Sequence, residues 1–265
     1  MATDIPIHEK IGFDPAVNRA RQSLYRFAAL SLADPRSGSW QQLHKLREDT
    51  LIFESATLLR GMETAVPEKL SARERPLTDL DPTSVLALLP ASPKGLNRAY
   101  EQVFGLLASS ACPSYETEHI NDKFTFQRSQ TLADISGFYA AFGFTTSLAH
   151  PERHDHIVLE LEFMALLVGL ERLAFEHTPP QPDRGRTCRH AQKRFLTEHL
   201  AWWATGFAKL LIKEDTTGYF AAAGKFLAAL IPAERALADI PAPQTPSQAT
   251  PPEGPDACLN CLRPT

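Results

Sequence analysis

Apolar residues fall three and four apart in one segment after another of this chain, and that spacing restricts it to helices. Leu24, Phe27, Ala28 and Leu32 carry the pattern first, then Leu96, Tyr100, Val103, Phe104 and Leu107, then Phe195, Leu200, Trp203, Phe207 and Leu210. Alternating runs bounded by turn residues, the mark of strands, are hard to find. The expected class is all-α, a single-domain bundle of roughly ten helices.

Proline and glycine punctuate the pattern. The spacing predicts helices over 15–32, ending before Asp34 and Pro35, and over 40–45, 51–62 and 83–89. Ser92 as cap and Pro93 at the first position open the next one. Further helices are expected over 126–142, stopped by Gly143, from Pro151 to about Glu176, over 187–212 after a proline-broken stretch, and over 219–231. The charged connector VPEKLSARERPLTDLDP lacks the apolar density of a core element and is expected to be exposed. Residues 1–235 form the expected helical domain. Behind it, 236–265 read as a proline-rich tail too poor in apolar residues to offset its own ordering entropy, ending in Cys258-Leu-Asn-Cys261.

Charge and motif exclude several functions. Lys and Arg number 27 against 31 Asp and Glu, a net charge of −4, which leaves no footprint for binding nucleic acid. The opening MATDIPIHEKIGF has Asp4 and Glu9 where a secretory signal has a basic and then an apolar stretch, so the expected compartment is the cytoplasm. The longest strongly apolar run, 163–170, is far below the roughly 20 residues of a spanning helix. There is no glycine-rich phosphate loop, nucleophile elbow or His-Glu-x-x-His pair, so neither catalysis nor a bound cofactor is expected.

Two segments stand out for binding. On a helix begun at Pro151, Asp155 and Glu162 share one face while His156 and Glu160 stack on the next, with Glu152 in the first turn. Ile157, Leu161, Met164 and Val168 then face the core. Six ionisable groups over 152–160 suit an arginine or lysine ligand; equally, acids at a helix start suit the helix dipole and a solvated surface. The second segment is AYEQVFG, followed by CPSYETEH. Tyr100 and Phe104 form an aromatic stripe, and Tyr115 with Glu116 sets a ring beside a carboxylate on the loop beyond. Such a stripe is commonly core, whereas a tyrosine beside proline on a loop is more easily exposed. Cys258 and Cys261 have a spacing that can grip a metal or form a disulfide, and a metal-binding or redox protein is the alternative they offer. A zinc site normally takes four ligands, and one such pair supplies two.

With these residues the chain resembles the TorD/DmsD family of redox-enzyme maturation chaperones. AYEQVFG continuing to CPSYETEH is similar to the family's Tyr-x-x-x-Phe-Gly stretch with its downstream Pro and Tyr. ERHDHIVLELEFM is similar to its Glu, Asp-His and Glu-Leu-Glu-Phe-Met pattern, with matches at Glu152, Asp155, His156, Glu160, Leu161, Glu162, Phe163 and Met164. His154 stands where the family often has proline. The resemblance implies an all-helical cytoplasmic chaperone, monomer or homodimer. Its implied partners are the catalytic subunit of a molybdenum-containing oxidoreductase and that subunit's twin-arginine signal peptide. Two arginines would then meet Asp155, Glu160 and Glu162, and the apolar part of the peptide would lie on Tyr100, Phe104 and Tyr115.

Overall fold

One helix is mostly apolar and largely buried, and others pack against it. The computed structural model describes residues 12–105, 111–120, 125–147, 151–215 and 218–243. Among these residues lie α1 (Pro15–Leu32), α2 (Ser39–Leu46), α3 (Thr50–Arg60), α4 (Pro82–Ala87), α5 (Pro93–Phe104), α6 (Thr125–Ala141), α7 (Ile157–Glu176), α8 (Pro182–Phe195), α9 (Ala201–Glu214) and α10 (Tyr219–Leu237). The class is all-α, as the periodicity requires. The apolar helix is α7, which buries Leu159, Leu161, Phe163, Met164, Leu167 and Val168, positions that cover rather more than half of its circumference, with Glu162 and Leu173 on the exposed side. It packs on α1 and α8; α1 also packs on α3, and α9 on α10. Phe163 fixes three helices at once, with ring centroids 4.8 Å from Tyr139 of α6 and 4.8 Å from Phe195 of α8.

The caps follow from the sequence. Asp14 Oδ1 accepts from the amides of Ala16 and Val17 at 2.8 and 3.2 Å to open α1, and Ser92 Oγ accepts from Gly95 N at 3.2 Å to open α5. Gly143, at φ +67°, supplies the left-handed turn after α6. No helix among the described residues is long and apolar enough to cross a membrane.

Two helical stretches run clearly beyond the sequence expectation. The stretch expected over 187–212 begins at Pro182, and α8 continues through a π turn, Leu196–Leu200, into α9. The last helix does not stop before Pro232 but runs through it to Leu237. Proline there has no N–H to give the carbonyl of Ala228, which would otherwise be orphaned; Arg75 N from the charged connector donates to it at 2.9 Å instead. The connector is accordingly not a free loop, although many of its residues are exposed. Leu77 and Leu80 are buried, and Glu74 forms a two-pronged ion pair with Arg235 of α10, at 2.9 and 2.7 Å. Leu107 and residues 244–265, with the Cys258–Cys261 pair, lie outside the described residues.

The Glu74–Arg235 pair is sealed, with Arg235 2 % exposed. Glu74→Ala would strand a guanidinium in the core, and the expected loss of stability is about 3–5 kcal/mol, seen as a lower urea midpoint.

Candidate functional site

The two binding segments of the sequence are joined by a short backbone pairing. Glu116 N donates to Asp155 O at 2.8 Å and Ile157 N to Ser114 O at 2.9 Å, an isolated antiparallel bridge between Tyr115 and His156. This pairing needs extended backbone over the residues before Ile157, so α7 begins there and not at Pro151. The shared helix face expected for Asp155 and Glu162, and the His156–Glu160 stack, are corrected by that start. His156 is the N-cap, in extended conformation, and its Nδ1 accepts from Val158 N at 3.3 Å.

Asp155 is fully buried, and a buried carboxylate needs donors on every lone pair. Thr117 gives it the backbone N–H at 3.2 Å and the hydroxyl at 2.7 Å, both to Oδ2. Arg153 gives a fork: Nε to Oδ1 at 3.0 Å and Nη2 to Oδ2 at 2.7 Å. The same guanidinium lies over the Tyr115 ring, Cζ 4.2 Å from its centroid, and reaches Glu118 Oε1 at 3.4 Å. Tyr115 is held in turn: its hydroxyl donates to Glu152 Oε2 at 3.0 Å, and His156 stands edge-on at 5.1 Å. Burial beside the Glu152 carboxylate pushes the Tyr115 hydroxyl up to about 12, so it stays a donor.

Beneath this rim is a buried polar net. Glu116 Oε1 accepts from Trp202 Nε1 at 2.6 Å, and its Oε2 pairs with His199 Nδ1 at 3.1 Å, while His199 Nε2 meets Asp134 Oδ2 at 3.2 Å. The π turn carries His199, and such turns are often found at functional sites. Burial works against charge on His199, but Glu116 and Asp134 outweigh it and raise its pKa. Glu160, fully buried, accepts from Trp203 Nε1 at 3.1 Å through Oε2. Burial first, and then the Glu116 charge, hold its carboxyl well above the usual carboxylate range. Its Oε1 has no donor facing it among the described residues.

The expected binding residues thus fall into three groups. Tyr115, Glu152 and the half-buried Tyr100 form an accessible rim. Tyr100 lies in the fields of Glu152, Tyr115 and Asp34, and burial above all raises its pKa. Glu116, Asp155, His156 and Glu160 are brought together with the rim but lie under it, buried and engaged. Phe104 is core, against Phe207 and Phe220 at 6.3 and 5.3 Å. Glu162 is exposed elsewhere, with Arg26 of α1 as its opposite charge, because two residues along a helix turn it about 200° from Glu160. Arg153, Thr117, His199, Trp202 and Trp203 were not singled out as site residues from the sequence; one aromatic or histidine on a helix gives no sign of which buried acid it will meet. Cys112 and Cys188 are buried thiols, and burial pushes Cys112 up to about 12, which disfavours the thiolate a metal would need.

The chain is thus all-helical among its described residues, with a buried acid net under an acidic and aromatic rim. The family model described as nitrate reductase delta subunit matches residues 69–209, which include all of these site residues except Asp34 and Arg26, and the chain belongs to that family. This agrees with the TorD/DmsD resemblance of its two motifs. A chaperone protein TorD from Aliivibrio salmonicida is 28% identical over 127 residues, 48% of this chain and 56% of that protein. A selenate reductase assembly chaperone protein from Thauera selenatis is 34% identical over 118 residues, 44% of this chain and 58% of that protein. The matched part spans a little over half the length of these curated relatives. No solved structure matches.

Two measurements test the buried net. Burial holds His156 at about 4, whereas the unfolded imidazole takes up its proton near 6.5. Its contribution is intact above 6.5 and falls as pH drops from there towards 4, by up to about 1.4 kcal/mol per pH unit. His156→Asn keeps a capping side chain and is expected to flatten that part of the urea-midpoint profile. Glu160→Gln replaces a carboxyl whose charged form burial disfavours, and the variant is expected to be more stable at pH 7, seen as a higher urea midpoint. A less stable variant would mean that Glu160 is ionised in the folded protein.

Proposed function

We propose that this chain is a cytoplasmic chaperone for a molybdenum-containing oxidoreductase subunit. It binds that subunit through its twin-arginine leader and holds it back from export until the cofactor is in place. The chaperone role is supported by the family and by the names of the two relatives. The molybdenum client and the leader are supported by the motif resemblance.

The observation that carries the leader-binding part is the guanidinium already seated on the rim. Arg153 lies flat on Tyr115 and forks onto Asp155, so the surface has the face, the carboxylate and the hydroxyl that an arginine requires. Glu118 and Glu152 flank the seat and add negative charge on the approach side. The half-buried ring of Tyr100, 4.6 Å from Phe104, offers apolar surface for the residues that follow the arginines. Glu116, Glu160 and His156 support this rim from below and do not themselves meet the peptide.

Fluorescence anisotropy with a labelled Arg-Arg-Leu-Leu-Ala-Leu-Leu peptide tests the proposal. Binding should weaken as salt rises and be lost when both arginines become alanine. Tyr115→Leu should weaken it by about 1 kcal/mol, some fivefold. Equal affinity for the Ala-Ala peptide would refute a site for arginine.

A further inference from the structure

Arg153 is a guanidinium on this rim, and two of its side-chain partners, Tyr115 and Asp155, are residues expected to serve a client. Its fork is spent on Asp155, its Nη2 also donates to Thr117 Oγ1 at 2.7 Å, its Nη1 reaches Glu118, and its plane covers Tyr115. We propose that Tyr115, Thr117, Glu118 and Asp155 form a guanidinium seat whose ligand is an arginine side chain. In the free chain Arg153 fills that seat as a stand-in, and it leaves when a client arginine enters. The inference rests on the leader-binding reading above and adds to it a specific exchange.

The seat is built without Arg153. Asp155 is anchored by Thr117 N and Oγ1 and by the backbone bond from Glu116. Tyr115 is anchored by Glu152, by the edge of His156 and by the bridge to that residue. Arg153, by contrast, projects from the non-helical stretch before α7, and its side chain remains 46% exposed. It can swing into solvent by turning its own long side chain, with no change in α7. Arg235 makes the contrast plain: its fork is equally complete, but its side chain is 2% exposed and closed in by the connector, so nothing can exchange with it.

Exchange also resolves an electrostatic difficulty. A fully buried carboxylate stripped of its cation is costly, and a seat left empty for a client would carry that cost permanently. With Arg153 in place the carboxylate is paired for most of the time, and binding trades one guanidinium for another. Lysine has no planar fork and stacks poorly, so it is a weak competitor for the same place. The trade lowers the apparent affinity in proportion to how often the seat is free. With the seat free for about a tenth of the time, removing Arg153 raises affinity roughly tenfold.

The test compares wild type and Arg153→Gln, using the Arg-Arg-Leu-Leu-Ala-Leu-Leu peptide and its Lys-Lys and Ala-Ala counterparts. The expected result is a roughly tenfold tighter complex of the variant with the Arg-Arg peptide, which still binds more tightly than the Lys-Lys peptide, and no gain for the Ala-Ala peptide. A folded variant that binds the Arg-Arg peptide no more tightly than wild type overturns the exchange while leaving the arginine site intact. Failure of both proteins to distinguish Arg-Arg from Ala-Ala overturns the arginine site and the exchange together. Should the variant melt early, the wild-type protein decides the matter through the Arg153 Nε–H signal in a ¹H–¹⁵N spectrum. Saturating Arg-Arg peptide should move that signal to the position of a solvent-exposed arginine, and a signal that stays where it is overturns the proposal.

Discussion

The burial of the Asp155 carboxylate is the constraint from which the rest of this site follows. A carboxylate with no exposed surface has to be supplied with donors, and those nearby are Thr117 and Arg153. Bringing Thr117 within reach lays the 114–117 stretch beside 154–157, and the backbone bridge between Tyr115 and His156 locks the two together. The bridge in turn delays the start of α7 to Ile157 and turns His156 into its cap. Tyr115 is left on top with its ring face outward, which is why a guanidinium can lie there.

Below the rim, the net of Glu116, Glu160, His199, Trp202 and Trp203 ties the same loop to the rod formed by α8, its π turn and α9. Polar groups this deep contribute less through attraction than through the cost of leaving any of them unmatched, so the arrangement has few alternatives. Of the acids that match the family pattern, Asp155 and Glu160 are buried, Glu152 lies on the rim and Glu162 is exposed elsewhere.

Much of the fold was legible in the sequence because it depends on local rules. The expected 15–32 helix agrees with α1 to the residue, and the Ser92 cap, the Pro93 start of α5 and the Gly143 stop are where side-chain chemistry requires them. What was not legible depends on partners distant in sequence. Pro151 and the acids after it satisfy every local rule for a helix start, and only the pairing with 114–116 overrides them. Pro232 satisfies every rule for a helix end, and only the amide of Arg75 makes passage through it possible. The site was half legible on the same grounds. Residue types and spacing pointed to Tyr115, Glu152 and Asp155, but the depth of Glu116 and Glu160 is set by Trp202, Trp203 and His199, some forty to ninety positions away.

The central claim is that this rim receives an arginine on the face of Tyr115, and a crystal structure of the chain with the Arg-Arg-Leu-Leu-Ala-Leu-Leu peptide tests it most directly. The account predicts a peptide guanidinium stacked on Tyr115 and forked onto Asp155, with Arg153 turned away. A peptide bound elsewhere, with Arg153 still on Tyr115 and Asp155, would contradict it.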